Sequence, residues 1–351
     1  MLRDRLIARI RREGPLPFDE FMRVALYDPD EGYFTTGPLR SAKEGDFLTS
    51  PEVSPLFGET IARFVAAEAK RVGAEPVDVL EVGAGSGSLL RPLLDAVGVA
   101  VRPSAVEVSA AARERLAALV PEARVLASLE EVGGPLRGVI VANEVADNLP
   151  AALAVRRGDR WVERVVGVAG DGLAWVEGPA RPEVAAWADR FAGRVPEDGQ
   201  VEVQSAAGEW LRRLIGLLAA GSVLVFDYGD TAEGLASRRA EGTLRTYRGH
   251  HLGPDPLLEP GTTDITMDVD FGALAEAARE AGAKGEVLTQ AAFLGRWGLG
   301  ERLAALREEE LALARGGREM ERLVVRSRIT DGEALLHPRG LGDFRVLVAD
   351  K

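Results

Sequence analysis

Residues 78–90 read DVLEVGAGSGSLL, an apolar segment followed by a glycine-rich turn and the start of an apolar helix face. A strand that passes through such a turn into a helix forms a nucleotide-sized cleft at the end of a parallel sheet. Glycine lets the backbone approach a ligand and adopt positive φ values where a side chain would clash. The stretch therefore predicts an α/β fold with a ligand-binding turn.

The glycine spacing and the nearby acids narrow the class of ligand. The pattern is G-x-G-x-G, formed by Gly83, Gly85 and Gly87. Ser88 stands where a dinucleotide fingerprint has its third glycine. Glu81 would repel a pyrophosphate but suits ammonium, sulfonium and ribose hydroxyl groups. Glu107 follows the next apolar segment, where a carboxylate holds a ribose diol. These features favour a nucleoside-type cofactor, S-adenosylmethionine, over a purely structural turn.

Composition excludes several classes of site and partner. The chain has 351 residues and a net charge of −12, which argues against binding to nucleic-acid phosphates. The absence of cysteine excludes disulfides, zinc-thiolate sites and thiol nucleophiles, and three scattered histidines do not indicate a metal site. The first residues do not resemble a signal peptide, and no apolar run reaches the roughly 18 residues of a membrane span. We therefore expect a cytoplasmic protein that neither inserts into a membrane nor holds a metal.

The chain divides into an N-terminal extension, residues 1–75, and a core, residues 76–351. The extension contains short helices and a long loop rich in Gly, Pro, Ser and Thr, and loops of this length are usually functional or disordered. Its aromatic residues argue against disorder, so we expect a functional segment. In the core, apolar strands alternate with helical segments, which predicts a parallel sheet with helices on both faces.

The predicted strands lie near 78–82, 102–107, 123–126, 138–142, 222–227, 285–289 and 344–349. Helices are predicted between the first four strands, at 88–97, 109–120 and 128–132. Two insertions interrupt the alternation. The first, at about 151–204, begins with a β-meander, and the second, at about 230–268, is rich in loops.

Candidate catalytic residues follow the fourth strand in VIVANEVADNLP, residues 139–150. Glu144 and Asp147 are three positions apart, so they share one face if a helical turn follows the strand. The alternative is structural, because Asn143 or Asp147 could cap that turn.

A further acid, Asp227, ends a buried run and is followed by Tyr228. A buried carboxylate is costly without a partner. Asp227 therefore either binds substrate or pairs with an arginine, and the sequence leaves both interpretations open.

Several segments together resemble the MidA-like methyltransferases, which include the mitochondrial assembly factor of respiratory complex I. They are GDFLTSPEVSPLFGE at 45–59, LEVGAGSGSL at 80–89, VANEVADNLP at 141–150, VFDYG at 225–229 and GTLRTYRGHHLGPDPLLEPGTTDITMDVDF at 242–271. The resemblance implies a class I, Rossmann-like methyltransferase fold with a seven-stranded, mostly parallel sheet. It also implies S-adenosylmethionine as cofactor and a protein arginine as substrate, which in eukaryotes belongs to a complex I subunit. One motif departs from the family's NEFFDALP, because NEVADNLP lacks the aromatic pair.

The predicted roles follow from these motifs. We expect Glu144 to orient the guanidinium, with Asp147 as a second catalytic carboxylate and with Asp227 and Tyr228 at the substrate. The resemblance implies that Thr49 and Ser50, in the long N-terminal loop, are part of a lid over the cofactor. The predicted cofactor-binding residues are Thr49, Ser50, Glu81, Gly83, Ala84, Gly85, Gly87, Glu107, Val108 and Asn143. The alternatives are a nicotinamide-dependent oxidoreductase and a non-enzymatic assembly factor that retains the cofactor site. The oligomeric state stays open, with a homodimer among the options.

Overall fold

The computed structural model describes residues 1–36, 49–249 and 251–351. Within these residues one seven-stranded sheet forms the centre of the molecule. Its strands are β1 (Val77–Val82), β2 (Val101–Val106), β3 (Arg124–Leu126), β4 (Leu136–Asn143), β5 (Leu218–Asp227), β6 (Lys284–Thr289) and β7 (Arg345–Asp350). They lie in the order β6-β7-β5-β4-β1-β2-β3. β7 pairs antiparallel with β5 and β6, and every other neighbouring pair in this sheet is parallel. The predicted class I methyltransferase sheet is confirmed.

The middle of the sheet is buried on both faces, which explains why β4 and the second half of β5 are apolar without alternation. In β4, Val139 and Val141 pack into one apolar core, and Ile140 and Ala142 pack into the other. Successive side chains of a strand point to opposite faces, so a strand covered on both sides needs apolar residues at every position.

Helices cover both faces of the sheet and extend beyond it. The described α-helices are Leu2–Glu13, Phe18–Tyr27, Ser50–Val53, Leu56–Val72, Leu90–Ala96, Ala110–Leu119, Pro182–Phe191, Ser205–Leu217, Ala232–Leu235, Phe271–Glu280, Gln290–Arg296, Leu299–Arg315 and Glu319–Ala334. No helix in the described part of the chain is both long and apolar enough to cross a membrane. The helix predicted at 128–132 is wrong, since only a 3-10 turn, Leu129–Glu131, forms there. Gly133, Gly134 and Pro135 follow directly and prevent its extension.

The first insertion is the β-meander that the sequence predicts. Its strands are Ala152–Arg157, Arg160–Ala169 and Gly172–Pro179, and Gln200–Val203 pairs with the first of them. The N-terminal extension adds Leu16–Pro17 to the same sheet, where Leu16 pairs with Val166. The extension therefore docks on the insertion, and the proposed division at residue 75 stays a prediction.

The second insertion contains short strands as well as loops. Arg245–Arg248 pairs with His251–Leu252 and with Asp264–Thr266, and Gly229–Asp230 pairs with Val269–Asp270. Ile265 and Met267 pack into the apolar cluster of the N-terminal extension. The Met267 amide also donates to the Asp147 carbonyl oxygen and the Val269 amide to that of Tyr228, so the second insertion contacts the segments that follow β4 and β5.

Candidate active site

A cavity of about 360 Å³ opens at the carboxyl ends of β1, β2 and β4, where open α/β sheets bind their ligands. The glycine turn, the end of β2, residues 127–130 and the end of β4 form its walls. Eight of the predicted cofactor residues lie on these walls: Thr49, Glu81, Gly83, Ala84, Gly85, Glu107, Val108 and Asn143. Glu144 also lies on the cavity wall, so motifs that are separate in the sequence line the same cavity.

The glycine turn requires positive φ values, and its glycines serve different neighbours. Gly85 has a φ of 51° and lies on the cavity wall. Gly87 has a φ of 85°, but a Cβ atom there would lie 2.8 Å from a methyl carbon of Leu116. Gly87 therefore allows close packing on the helix Ala110–Leu119, and it is not among the residues that line the cavity.

Glu107 ties the glycine turn to the end of β2. Its carboxylate accepts hydrogen bonds from the amides of Gly85 and Ser109, each at 2.8 Å. An ionised carboxylate has about four lone-pair sites, so Glu107 can still accept from ligand hydroxyl groups. Val108 lies beside it on the cavity wall.

Two buried oxygen atoms beside the cavity have no hydrogen-bond partner within the described residues: Glu81 Oε2 and Asn143 Oδ1. Burial, reinforced by the nearby Glu107, raises the pKa of Glu81 well above its usual range. Buried acceptors in native proteins normally have a donor, so these atoms fit a ligand that carries ammonium or hydroxyl groups. A pyrophosphate would add further acceptors and negative charge. The residues present therefore fit S-adenosylmethionine better than a nicotinamide dinucleotide.

Glu144, the residue that follows β4, has an unusual backbone conformation. Its φ is 52°, and only Asp198 shares a positive φ among the described residues other than glycine. Such a conformation costs about 1–3 kcal/mol and concentrates at functional sites. The Glu144 carboxylate accepts hydrogen bonds from Asn143 Nδ2 at 3.1 Å and from the Ser50 amide at 3.4 Å. Burial, followed by repulsion from Asp147, raises the pKa of Glu144 to about 8.

Asp147 does not share a helical face with Glu144, and that expectation is wrong. The left-handed residue Glu144 ends the strand, and a 3-10 turn, Ala146–Asn148, begins two residues later. Asp147 is buried behind the cavity wall, where the hydroxyl groups of Tyr228 and Thr266 donate hydrogen bonds to its Oδ2 atom. The two carboxyl groups thus have different surroundings, because burial also raises the pKa of Asp147 while these two hydroxyl groups oppose that shift.

Asp227 has neither an arginine partner among the described hydrogen bonds nor a place on the cavity wall. Its Oδ2 atom accepts from the amides of Ala146 at 3.0 Å and Asp147 at 3.2 Å. Asp227 therefore caps the turn, the role that the sequence offered to Asn143 or Asp147. Tyr228 likewise lies off the cavity wall and binds Asp147 and Thr266.

The N-terminal extension reaches the site through Thr49 and Ser50. Thr49 lies on the cavity wall, and its amide donates to Glu52 in a capping box. Ser50 is fully buried and donates from its hydroxyl to Gln290 at 3.1 Å. Residues 45–48 of the predicted motif, and the rest of the predicted cofactor cover between 37 and 48, lie outside the described residues.

Sequence reasoning missed several residues of the cavity wall. Tyr27 and Phe34 stack with ring centroids 5.7 Å apart, and the aromatic run YDPDEGYF was the available signal. At the other end, Trp210 lies near an ion pair between Arg213 and Glu130 at 2.7 Å. Trp210 and Arg213 belong to the helix Ser205–Leu217, and nothing in the local sequence indicates that this helix is part of the site.

Comparison with known proteins identifies the family. Residues 60–289 match a family model described as "Putative S-adenosyl-L-methionine-dependent methyltransferase". The chain belongs to this MidA-like methyltransferase family. It is 30% identical to the mitochondrial protein arginine methyltransferase NDUFAF7 of mouse, over 86% of this chain and 75% of the mouse protein. The human NDUFAF7 protein is 27% identical over 96% of this chain and 80% of its own length.

A solved structure supports the same assignment. A Burkholderia thailandensis protein crystallised with S-adenosyl-homocysteine is 31% identical, with a TM-score of 0.86 over 100% of this chain and 92% of that chain. The methyltransferase activity and the S-adenosylmethionine cofactor are thus confirmed, and both are favoured over an oxidoreductase or a non-enzymatic scaffold.

The expected location is corrected by the same relatives. The proteins from mouse, fly, frog and human are all named as mitochondrial. The cytoplasmic location that we expected from the sequence is therefore wrong.

Proposed function

We propose that this methyltransferase methylates an arginine of a protein substrate and that Glu144 orients the guanidinium. The observation that carries the proposal is the Glu144 carboxyl group, which stands on the cavity wall at the end of β4 in a left-handed conformation. The names of the mouse and human relatives, both protein arginine methyltransferases, support the same acceptor.

The charge of the cavity suits a cationic acceptor. Glu81, Glu107 and Glu144 all lie on its wall, and Glu52 is close enough to raise the pKa of Glu144. A carboxylate can pair with a guanidinium through two parallel hydrogen bonds, which fixes both the position and the orientation of the group. A guanidinium placed in this way gains attraction from several acids at once.

The bound cofactor supplies an electrophilic methyl group on a sulfonium. A guanidinium is fully protonated in water, so one of its nitrogens must lose a proton as it bonds to the methyl carbon. The bond between sulfur and the methyl carbon would break in the same step, with its electron pair left on sulfur in S-adenosylhomocysteine. Glu144 holds its own proton up to a pH of about 8 when no cation is bound, but a guanidinium beside it favours the ionised carboxylate. The ionised Glu144 can then accept the proton of the guanidinium, and its raised pKa makes it a stronger base than an ordinary glutamate. Orientation and proton acceptance then fall to one residue.

The remaining site residues support these steps. We infer that Thr49, Glu81, Glu107, Val108 and Asn143 contact the cofactor, together with the glycine turn. Asp147, Asp227 and Tyr228 hold the turn after β4 rather than contacting the acceptor, because all three lie off the cavity wall. Asp147 is bonded through Oδ2 alone, and its buried Oδ1 atom has no hydrogen-bond partner within the described residues. A subunit of respiratory complex I is the candidate substrate that the family resemblance implies.

The proposal is tested by mass spectrometry of arginine methylation in cells that lack this protein. Wild-type protein should restore at least one methylated arginine peptide, and Glu144→Gln should not. Asp78→Asn is the matched control, because Asp78 is a buried carboxylate that accepts from the Arg137 amide at 2.8 Å at the opposite edge of the sheet. An unchanged set of arginine methylations in all four cell lines contradicts the proposed acceptor.

A further inference from the structure

We propose that Asp227 is a positioning residue for Glu144: it fixes the turn behind this acid and so keeps the carboxyl group facing the cavity. The inference rests on the proposed role of Glu144. Asp227 itself contacts neither the cavity nor any group within it, so its effect on methyl transfer passes through the backbone.

The end of β5 holds the segment after β4 on both sides of Val145. The Glu144 amide donates to the carbonyl oxygen of Phe226 at 2.8 Å. The next residue, Asp227, accepts through Oδ2 from the amides of Ala146 at 3.0 Å and Asp147 at 3.2 Å. Three amides in four consecutive residues are thus fixed by two neighbouring residues of one strand.

This arrangement explains how Glu144 keeps its left-handed conformation. A residue with a side chain adopts a positive φ only where its surroundings determine the backbone on both sides. Phe226 fixes the amide of Glu144 itself, and Asp227 fixes the chain two and three residues later. Without the Asp227 acceptors, the turn can relax to an ordinary φ, and the Glu144 carboxyl group turns away from the cavity.

The Asp227 carboxyl group is committed to this task. Its side chain is fully buried, and its second oxygen, Oδ1, accepts from the Tyr228 amide at 3.0 Å. An aspartate at this position is costly, because burial together with the nearby Asp147 and Glu144 raises the pKa of Asp227 well above its usual range. A buried acid that faces two other acids and meets only backbone amides is better explained by the turn that it organises than by a contribution to the core.

The experiment is a double-mutant cycle on methyl transfer. The probe is protein extract from cells that lack this chain, incubated with methyl-labelled S-adenosylmethionine and each purified variant. Asp227→Ala should lower the transfer rate by about tenfold or more, the effect of removing buried hydrogen-bond acceptors. Asp227→Asn should lose less, because its amide oxygen can still accept from the turn. The affinity for S-adenosyl-homocysteine should stay at the wild-type value in both variants.

The decisive comparison is made in the Glu144→Gln background. If Asp227 acts through Glu144, Asp227→Ala causes no further loss there, because residues that act as one unit are not additive. An equal loss in both backgrounds overturns the inference, as does a wild-type rate in Asp227→Ala. Should Asp227→Ala fail to fold, Asp227→Asn takes its place in the cycle. Its smaller loss should also disappear in the Glu144→Gln background, and an equal loss in both backgrounds overturns the inference.

Asp78→Asn is again the control, and it should transfer methyl groups at the wild-type rate. A different variant reports on the proposed function. Full activity in Glu144→Gln alone contradicts the role of Glu144, whereas a slow Glu144→Gln with a fast Asp227→Ala contradicts only the positioning role.

Discussion

The amide of Ser50 donates a hydrogen bond to the carboxylate of Glu144 at 3.4 Å, although the two residues are 94 positions apart. This contact joins the N-terminal extension to the end of β4. Ser50 is in turn anchored to the core by its hydroxyl group, which donates to Gln290. The residues on either side of it, Thr49 and Pro51, line the cavity. The extension therefore completes the site rather than merely covering the fold.

Ser50→Ala should loosen this anchor. It leaves the buried Gln290 oxygen without its donor, which costs about 1–3 kcal/mol of unfolding free energy. Because Thr49 and Pro51 depend on the same segment, the affinity for S-adenosyl-homocysteine should fall as well. Denaturant unfolding and calorimetry on the same preparation check both effects. Unchanged cofactor affinity together with the expected loss of stability would show that the anchor is structural only.

Stability should depend on pH through Glu144. Its pKa is raised from 4.5 to about 8 in the folded protein, so the folded state holds a proton that the unfolded chain releases. The stability contributed by this group is complete below about pH 4.5 and is lost as pH rises through about 8. Glu144→Gln lacks this loss. The unfolding free energy of Glu144→Gln relative to wild type should therefore rise by up to about 1.4 kcal/mol per pH unit between about pH 4.5 and about pH 8, and then level off. Denaturant unfolding of both proteins across the window gives the comparison, and a pH-independent difference rules out the raised pKa.

Cofactor affinity should depend on Glu107. Glu107→Ala removes a group that faces the cavity and also frees the amides of Gly85 and Ser109. We expect binding of S-adenosyl-homocysteine to weaken by about 1–3 kcal/mol. Glu107→Gln keeps one acceptor oxygen and should lose less. Calorimetry that finds wild-type affinity in the alanine variant removes Glu107 from the cofactor site.

Gly85→Val should abolish cofactor binding and leave the chain folded. Gly85 lies on the cavity wall, where an added side chain takes space from the ligand, and a β-branched residue resists the φ of 51°. Gly98→Val is the matched control, because Gly98 has a φ of 65° and no atom within 4 Å of the added Cβ. Circular dichroism and binding are measured on both variants. If both lose binding to the same degree, backbone strain alone accounts for the effect.

The parts of the site that sequence reasoning found are those encoded by short local patterns. The glycine turn, Glu81 and Glu107 follow from the regular geometry of strand, turn and helix, and all of them except Gly87 line the cavity. The same regularity predicted the sheet strands, because burial on both faces requires long apolar runs such as β4.

The parts of the site that sequence reasoning missed depend on contacts between distant segments of the chain. Asp227 caps a turn 81 positions earlier in the chain, and no local pattern assigns a cap across that separation. The φ of Glu144 is likewise set by its neighbours in space. The backbone preference of a glutamate therefore did not indicate that Glu144 and Asp147 would lie on different faces. Trp210 reaches the cavity only because the chain after the first insertion returns to the sheet.

The role of Glu144 is tested most directly by measuring methyl transfer and cofactor binding together in Glu144→Gln. The variant keeps the size of the side chain but cannot accept a proton from a guanidinium. Transfer of labelled methyl groups to protein arginine should fall by roughly 10²-fold or more, in line with the loss of a positioned acid–base group. The dissociation constant for S-adenosyl-homocysteine should change little. A variant that binds the cofactor normally and still methylates arginine at the wild-type rate would contradict the account.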